Sequence, residues 1–118
     1  MATGPWQMVD GPAGRLCLYA AGPSGASRRD PMLLLCHELP RGAGGAHDAG
    51  RAYPALADRL AGESGLRVVA GMLRGAGGSD GDFSADGWLE DLAFVLDQEA
   101  TPDTEVWAVG FGLGAALV

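Results

Sequence analysis

The chain has 118 residues, 47% of them hydrophobic, and 15 acidic against 8 basic side chains give it a formal net charge of −7. A chain of this length builds one hydrophobic core, so we expect a single domain over residues 1–118. The acidic surplus argues against nucleic acid and anionic membranes as partners, because both bind through Lys and Arg. The sequence shows neither a signal peptide nor a run of about 18 apolar residues, which predicts a cytoplasmic protein.

The first predicted elements are two antiparallel strands. Trp6–Val9 and Arg15–Ala21 flank a Gly-Pro-Ala-Gly segment at 11–14, which is typical of a β-hairpin. After a polar loop, residues 31–37 form a short apolar run bounded by turn-forming residues. Such a run predicts a strand that is buried on both faces.

The middle of the chain predicts a helix followed by another buried strand. A glycine-rich loop at 42–46 precedes a helical stripe of apolar residues, in which Pro54 is tolerable only within the first turn. The stripe consists of Tyr53, Leu56, Ala57 and Leu60. We expect the helix to end near 62–65 and the strand to cover 66–73, followed by a loop at 74–81 that is rich in glycine.

The last predicted elements are a helix, a strand and a tight turn. Ser84 or Asp86 is expected to cap the helix, and residues 101–103 to end it. Its predicted buried face comprises Trp88, Leu89, Leu92, Val95 and Leu96. A strand at 105–111 follows. Alternating strands and helices predict an α/β fold with a mostly parallel sheet, flanking helices and an N-terminal antiparallel hairpin.

Residues 106–117 combine a buried-strand run, a glycine-punctuated turn and the start of a helix of small residues. This is the pattern of a G-x-S-x-G nucleophile elbow, in which a strained turn raises a serine above a parallel sheet. In this chain Gly112 occupies the serine position. Because glycine has no side chain, the predicted elbow lacks a nucleophile.

Three motifs, in order along the chain, resemble those of the α/β-hydrolase fold family. His37-Glu38-Leu39-Pro40 is similar to the H-G-x-P oxyanion arm, residues 74–81 to the R-G-x-G-x-S-x-G loop, and residues 110–114 to the elbow. The resemblance extends from Arg15 to the end of the chain and implies a partial α/β-hydrolase-like fold. It also implies a hydrolase of carboxylic esters or related carbonyl compounds, of the serine esterase or peptidase class, with no metal and no organic cofactor.

The resemblance assigns roles to four positions. Gly112 takes the nucleophile position, Leu39 and Leu113 contribute the backbone N–H groups of an oxyanion hole, and His37 belongs to the oxyanion arm. Two departures weaken this machinery: Gly112 has no nucleophile, and Glu38 replaces the arm glycine and would repel an oxyanion unless it points away. We therefore expect an impaired catalyst, whose two amides can still bind a small carbonyl or anionic ligand.

The two cysteines do not provide a replacement nucleophile. Cys17 and Cys36 lie in apolar strand runs and are predicted to be small buried hydrophobic residues rather than a disulfide. Cys36 and His37 are neighbours in sequence, so their side chains leave a strand on opposite faces and cannot form a thiolate pair.

Other polar residues have simpler interpretations. Ser79 and Ser84 are predicted to bond to nearby backbone groups rather than to attack a substrate. His37-Glu38 begins like the zinc motif H-E-x-x-H, but the closing position is Arg41, so we expect no metal site. His47 is predicted to be an exposed residue before the helix.

Three functions remain open from the sequence. The first is an α/β-hydrolase that lacks its serine and has its acid and histidine partners beyond the chain, as in a fragment. The second is a pseudoenzyme that binds a small ligand or a protein. The third is a dinucleotide-binding module that uses Gly110, Gly112 and Ala115 as a G-x-G-x-x-A fingerprint.

The family resemblance also implies how the strand at 105–111 pairs. In the family's strand order this strand is central, with the strand at 31–37 on one side and a later strand on the other. That later strand would lie beyond residue 118. An apolar strand with an open edge favours pairing with another chain, so we expect self-association through 105–111.

Overall fold

The computed structural model describes residues 6–23, 25–38, 45–76 and 79–117, without the side chains of 45–51 and 113. Its elements are β1 (Trp6–Gly11), β2 (Gly14–Ala21), β3 (Met32–Cys36), α1 (Gly45–Ser64), β4 (Arg67–Met72), α2 (Ala85–Glu99), β5 (Val106–Gly110) and α3 (Leu113–Leu117). Over these ranges no helix combines the length and the apolar content needed to cross a membrane.

The strands form one five-stranded sheet in the order β1-β2-β4-β3-β5. The hairpin strands β1 and β2 pair antiparallel, and β2 also runs antiparallel to β4. On its other side β4 pairs parallel with β3, which pairs parallel with β5. The predicted α/β class, the N-terminal hairpin and the pairing of β3 with the last strand are confirmed.

The sheet separates two hydrophobic clusters, because successive strand residues point to opposite faces. On the α2 face lie Leu16, Leu18, Met32, Leu34, Cys36, Val69, Leu73, Trp88, Leu92 and Val95. On the α1 face lie Cys17, Tyr19, Ala21, Leu35, Ala57, Ala61, Val68, Ala70 and Met72. Every residue of β4 is buried, as expected for a strand covered on both faces.

A polar contact fixes α1 to the sheet. The Tyr19 hydroxyl on β2 donates to the Asp58 carboxylate on α1, at 2.8 and 3.0 Å from its two oxygens. Burial and this carboxylate raise the pKa of Tyr19 to about 12. The bond holds α1 over β2 and β4, the centre of the sheet.

Three predictions about the helices are wrong. The helix α1 begins at Gly45, so Pro54 lies in its interior, and the last two residues of the loop predicted at 42–46 are helical. His47 lies within α1 rather than before it. A proline inside a helix removes one hydrogen bond of the helix backbone. The residues of α1 that follow Pro54 compensate for this loss because they pack on the sheet; they are Leu56, Ala57, Leu60 and Ala61.

The predicted buried face of α2 is also wrong at one position. Leu89 is 46% exposed, whereas Trp88, Leu92 and Val95 are buried. The observed buried face of α2 includes Asp91, which is fully buried. The apolar pattern could not predict that an acidic residue lies on this buried face.

Candidate active site

The elbow predicted at the end of β5 is present. The strand ends at Gly110 and α3 begins at Leu113, with Gly112 between them in the left-handed region at φ +55°. The Phe111 N–H donates to the Cys36 carbonyl at 3.0 Å, which continues the parallel ladder to the turn. A left-handed residue at this point turns the chain sharply from the sheet into the helix.

Two flanking glycines make this turn sterically feasible. A Cβ on Gly110 would overlap the backbone of Ala115, in the first turn of α3. A Cβ on Gly114 would overlap the carbonyl oxygens of Cys36 and His37, at the end of β3. Gly110 and Gly114 therefore bring α3 close to the carboxyl ends of β3 and β5.

Glu38 lies directly opposite the apex of the elbow. A Cβ built on Gly112 would be 3.0 Å from the Glu38 Cβ and 3.8 Å from its Oε2. The Glu38 N–H donates to the Tyr53 hydroxyl at 3.1 Å, and the Tyr53 and Phe111 rings meet edge to face, 5.8 Å apart. The Glu38 side chain does not point away from the apex.

His37 is a fully buried structural residue. Its Nε2 accepts the Leu73 N–H at 3.0 Å, so the proton is on Nδ1, which donates to the Glu38 carbonyl at 2.8 Å. The ring packs edge-on against Trp88, and burial lowers the pKa of His37. Both nitrogens are occupied, so this histidine is not available as a base for a group at the apex.

The loop after β4 is held by an ion pair. The Arg74 guanidinium contacts both Asp91 oxygens, Nε at 3.0 Å and Nη2 at 2.9 Å, and the Arg74 N–H donates to the same carboxylate at 2.9 Å. The Trp88 indole N–H donates to the Arg74 carbonyl at 2.9 Å. The Asp91 carboxylate raises the pKa of Arg74. The arginine of the R-G motif therefore joins β4 to α2.

The serines of this region bond to backbone groups, as predicted. The Ser79 hydroxyl donates to the Met72 carbonyl at 2.6 Å and accepts the Cys17 N–H at 2.9 Å. Ser84 caps α2 by accepting the Gly87 N–H at 2.9 Å. Neither hydroxyl is directed toward a reaction at the elbow.

The remaining predicted site residues can be located only in part. Leu113 opens α3, as the elbow pattern requires, whereas Leu39 and Pro40 of the oxyanion arm lie outside the described residues. Within the described part of the chain, no three His, Cys, Asp or Glu side chains come together as metal ligands.

Both cysteines are buried and unpaired, as the sequence predicted. Cys17 belongs to the cluster under α1 and Cys36 to the cluster under α2, so the sheet separates them. Burial raises the pKa of Cys36 to about 12. At neutral pH its thiolate, the nucleophilic form, is scarce.

Two residues that shape the site, Tyr53 and Asp91, were not predicted from the sequence. Asp91 had a recognisable pattern, because it lies three residues after Trp88 and four before Val95 on the buried face of α2. Tyr53 was assigned to the apolar stripe of α1, and its hydroxyl had no signal in the sequence.

No protein-family model and no curated protein matches the chain, but solved structures do. An a/b serine hydrolase without lid from Xanthomonas campestris is 28% identical with a TM-score of 0.62, over 97% of this chain and 53% of its own. An alpha-beta serine hydrolase homologue from Coxiella burnetii is 27% identical with a TM-score of 0.68, over 96% and 54%. An alpha/beta hydrolase from Novosphingobium aromaticivorans is 30% identical with a TM-score of 0.70, over 99% and 38%.

The chain thus spans about half the length of the first two structures and less of the third. The match nevertheless covers 96–99% of this chain. The chain therefore has the α/β-hydrolase fold over the length that it shares with these structures, and it is similar to members of that family.

Proposed function

We propose that this protein is a non-hydrolytic member of the family, in which the elbow forms a binding surface instead of a reactive centre. The observation that carries the proposal is Gly112, which occupies the apex at φ +55° and has no side chain. Acyl transfer in this family type needs a nucleophile, a base that takes its proton and an acid that orients the base. His37, the histidine of the arm, has both nitrogens occupied.

The ligand of this surface is proposed to be a small neutral carbonyl compound. The Leu113 N–H begins a helix at the elbow, and in hydrolases such an amide faces the substrate carbonyl. The Glu38 carboxylate near the apex makes a carbonyl group more suitable than an anion. Dinucleotide binding through Gly110, Gly112 and Ala115 remains the alternative prediction, although close packing already explains Gly110.

Hydrolysis of p-nitrophenyl butyrate by the purified chain tests the first part of the proposal. We expect the same rate as for the Gly112→Ala variant, with no burst and no saturation. Saturable turnover by the wild-type chain would refute the proposal, because a nucleophile would then exist elsewhere.

Titration with N-methylbutyramide and with NAD⁺, followed by NMR at the backbone amides of 110–115, tests the second part. Shifts with the amide and none with NAD⁺ support carbonyl binding. Micromolar NAD⁺ binding would favour the dinucleotide alternative. A chain that binds neither compound contradicts a binding role and leaves tight packing as the reason for these glycines.

We also propose that β5 mediates self-association. Within the described residues β5 pairs only with β3, so its other edge has unpaired N–H and C=O groups. Trp107 is 58% exposed, and Val106 and Val109 are each 37% exposed. Exposed apolar side chains along an open edge favour pairing with a second chain.

A further inference from the structure

We propose that the side chain of Glu38 has taken over the space above the elbow apex, so that residue 38 determines what residue 112 can be and which ligands reach it. The inference rests on the proposed non-hydrolytic function and adds its specificity-determining residue. Glu38 and Gly112 both depart from the family pattern, and their contact in the structure means that the two replacements depend on each other.

The Glu38 side chain limits the space that is available for a side chain at position 112. Among the described residues that do not adjoin Gly112 in sequence, Glu38 is the nearest neighbour: a Cβ at position 112 would lie 3.0 Å from the Glu38 Cβ and 3.8 Å from both its Cα and its Oε2. Carbon atoms in contact normally stay about 3.5–4.0 Å apart. A side chain at 112 therefore conflicts with any residue at 38 except glycine.

Neither side of this contact is free to move. The Glu38 backbone is held on both sides, since its N–H donates to the Tyr53 hydroxyl and its carbonyl accepts the His37 Nδ1–H. The elbow is held because Gly114 packs against the carbonyl oxygens at the end of β3. These contacts use backbone atoms of Glu38, so they survive replacement of its side chain.

The electrostatic part follows from the position of the carboxylate. Oε2 lies within 4 Å of the place that a group attached to the apex would occupy. Two like charges at this separation repel strongly near a protein surface, where solvent screens them incompletely. The apex should therefore reject carboxylates and oxyanions while it accepts neutral carbonyl compounds.

Urea unfolding of serine variants tests the steric part. We expect Gly112→Ser to lower the folding equilibrium constant about 100-fold with Glu38 present and about tenfold in a Glu38→Gly background. The remaining tenfold is the cost of a left-handed serine, which is the same in every background. Glu38→Ala is the matched control, because it removes the carboxylate but keeps the Cβ, so the loss should stay near 100-fold.

An equal loss in the wild-type, Glu38→Ala and Glu38→Gly backgrounds would overturn the steric part. Hydrolysis of p-nitrophenyl butyrate by the wild-type chain would refute the proposed function but leave this coupling intact. The two failures are thus distinguishable.

Binding of butyrate and butyramide, followed by NMR at the Gly112 amide, tests the electrostatic part. We expect Glu38→Gln to bind butyrate about tenfold more tightly than the wild-type chain, with no change for butyramide. Asp97→Asn, which neutralises an exposed acid on α2, should behave as wild type. Unchanged butyrate binding in Glu38→Gln, including none at all, would overturn this part.

Discussion

Replacement of Asp91 by asparagine tests what fixes the loop after β4. Asp91 is fully buried, and its carboxylate accepts three hydrogen bonds from Arg74, all between 2.9 and 3.0 Å. Asparagine preserves the shape but removes the charge and leaves one amide group facing the guanidinium. Breaking one partner of a buried pair costs about 3–5 kcal/mol. We expect about 3 kcal/mol, the lower end, because Arg74 keeps Glu90 at 3.3 Å and touches solvent.

Such a loss is a large share of the roughly 5–15 kcal/mol that stabilise a typical domain. Urea unfolding followed by circular dichroism measures it, with Asp97→Asn as the control. Asp97 is an exposed acid on the same helix, so its replacement should change the free energy of unfolding by less than about 0.5 kcal/mol. A loss below about 1 kcal/mol for Asp91→Asn would refute the reasoning, since it would mean that solvent screens the pair.

Four further outcomes are expected. The pKa of buried His37 lies below its ordinary 6.5, so the unfolded chain binds its proton first as pH falls below about 6.5. The free energy of unfolding should then fall by up to about 1.4 kcal/mol per pH unit, and His37→Gln should lack this part of the slope. Gly114→Ala should cost about 2–3 kcal/mol through backbone overlap, whereas Gly62→Ala, with open space around it, should be neutral or slightly stabilising in urea unfolding. Both cysteines are buried, so Ellman's reagent should label them only as fast as the chain unfolds; rapid labelling of the native chain would contradict their placement. Size-exclusion chromatography should show association that rises with concentration and is weakened by Trp107→Lys, and a monodisperse wild-type monomer with a sharp two-state melt would contradict it.

The sequence predicted the elements whose signals are local. The hairpin followed from turn-forming residues between two apolar strands, and the elbow followed from glycines at 110, 112 and 114 after an apolar strand. These features depend on backbone conformation within a few residues, such as the left-handed φ of Gly112. The apolar run before the elbow also predicted burial, which is wrong, because Val106, Trp107 and Val109 of β5 are exposed in the described structure. Of the strand order beyond the hairpin, only the pairing of the strand at 31–37 with the strand at 105–111 was predicted, and it came from the family resemblance rather than from periodicity.

Predictions from the sequence failed for features that depend on contacts between residues far apart in the chain. The buried position of Asp91 depends on Arg74, 17 residues earlier, and the part of α1 that follows Pro54 packs on the sheet through Leu56, Ala57 and Leu60. The direction of Glu38 was left open, because nothing near it in sequence specifies that residue 112 lies opposite. Such pairings exist only after the sheet has brought β3 and β5 together.

The elbow shows that the fold and the chemistry of this family depend on different residues. Gly110 and Gly114 allow the sharp crossing from β5 to α3, and they act whatever residue occupies position 112. Position 112 would carry the nucleophile, and residue 38 controls the space above it. A chain can therefore keep the crossing while it loses the hydroxyl, and its likeness to hydrolases does not by itself imply hydrolysis. Activity within this fold is better judged from residues 38 and 112 together than from the shape of the turn.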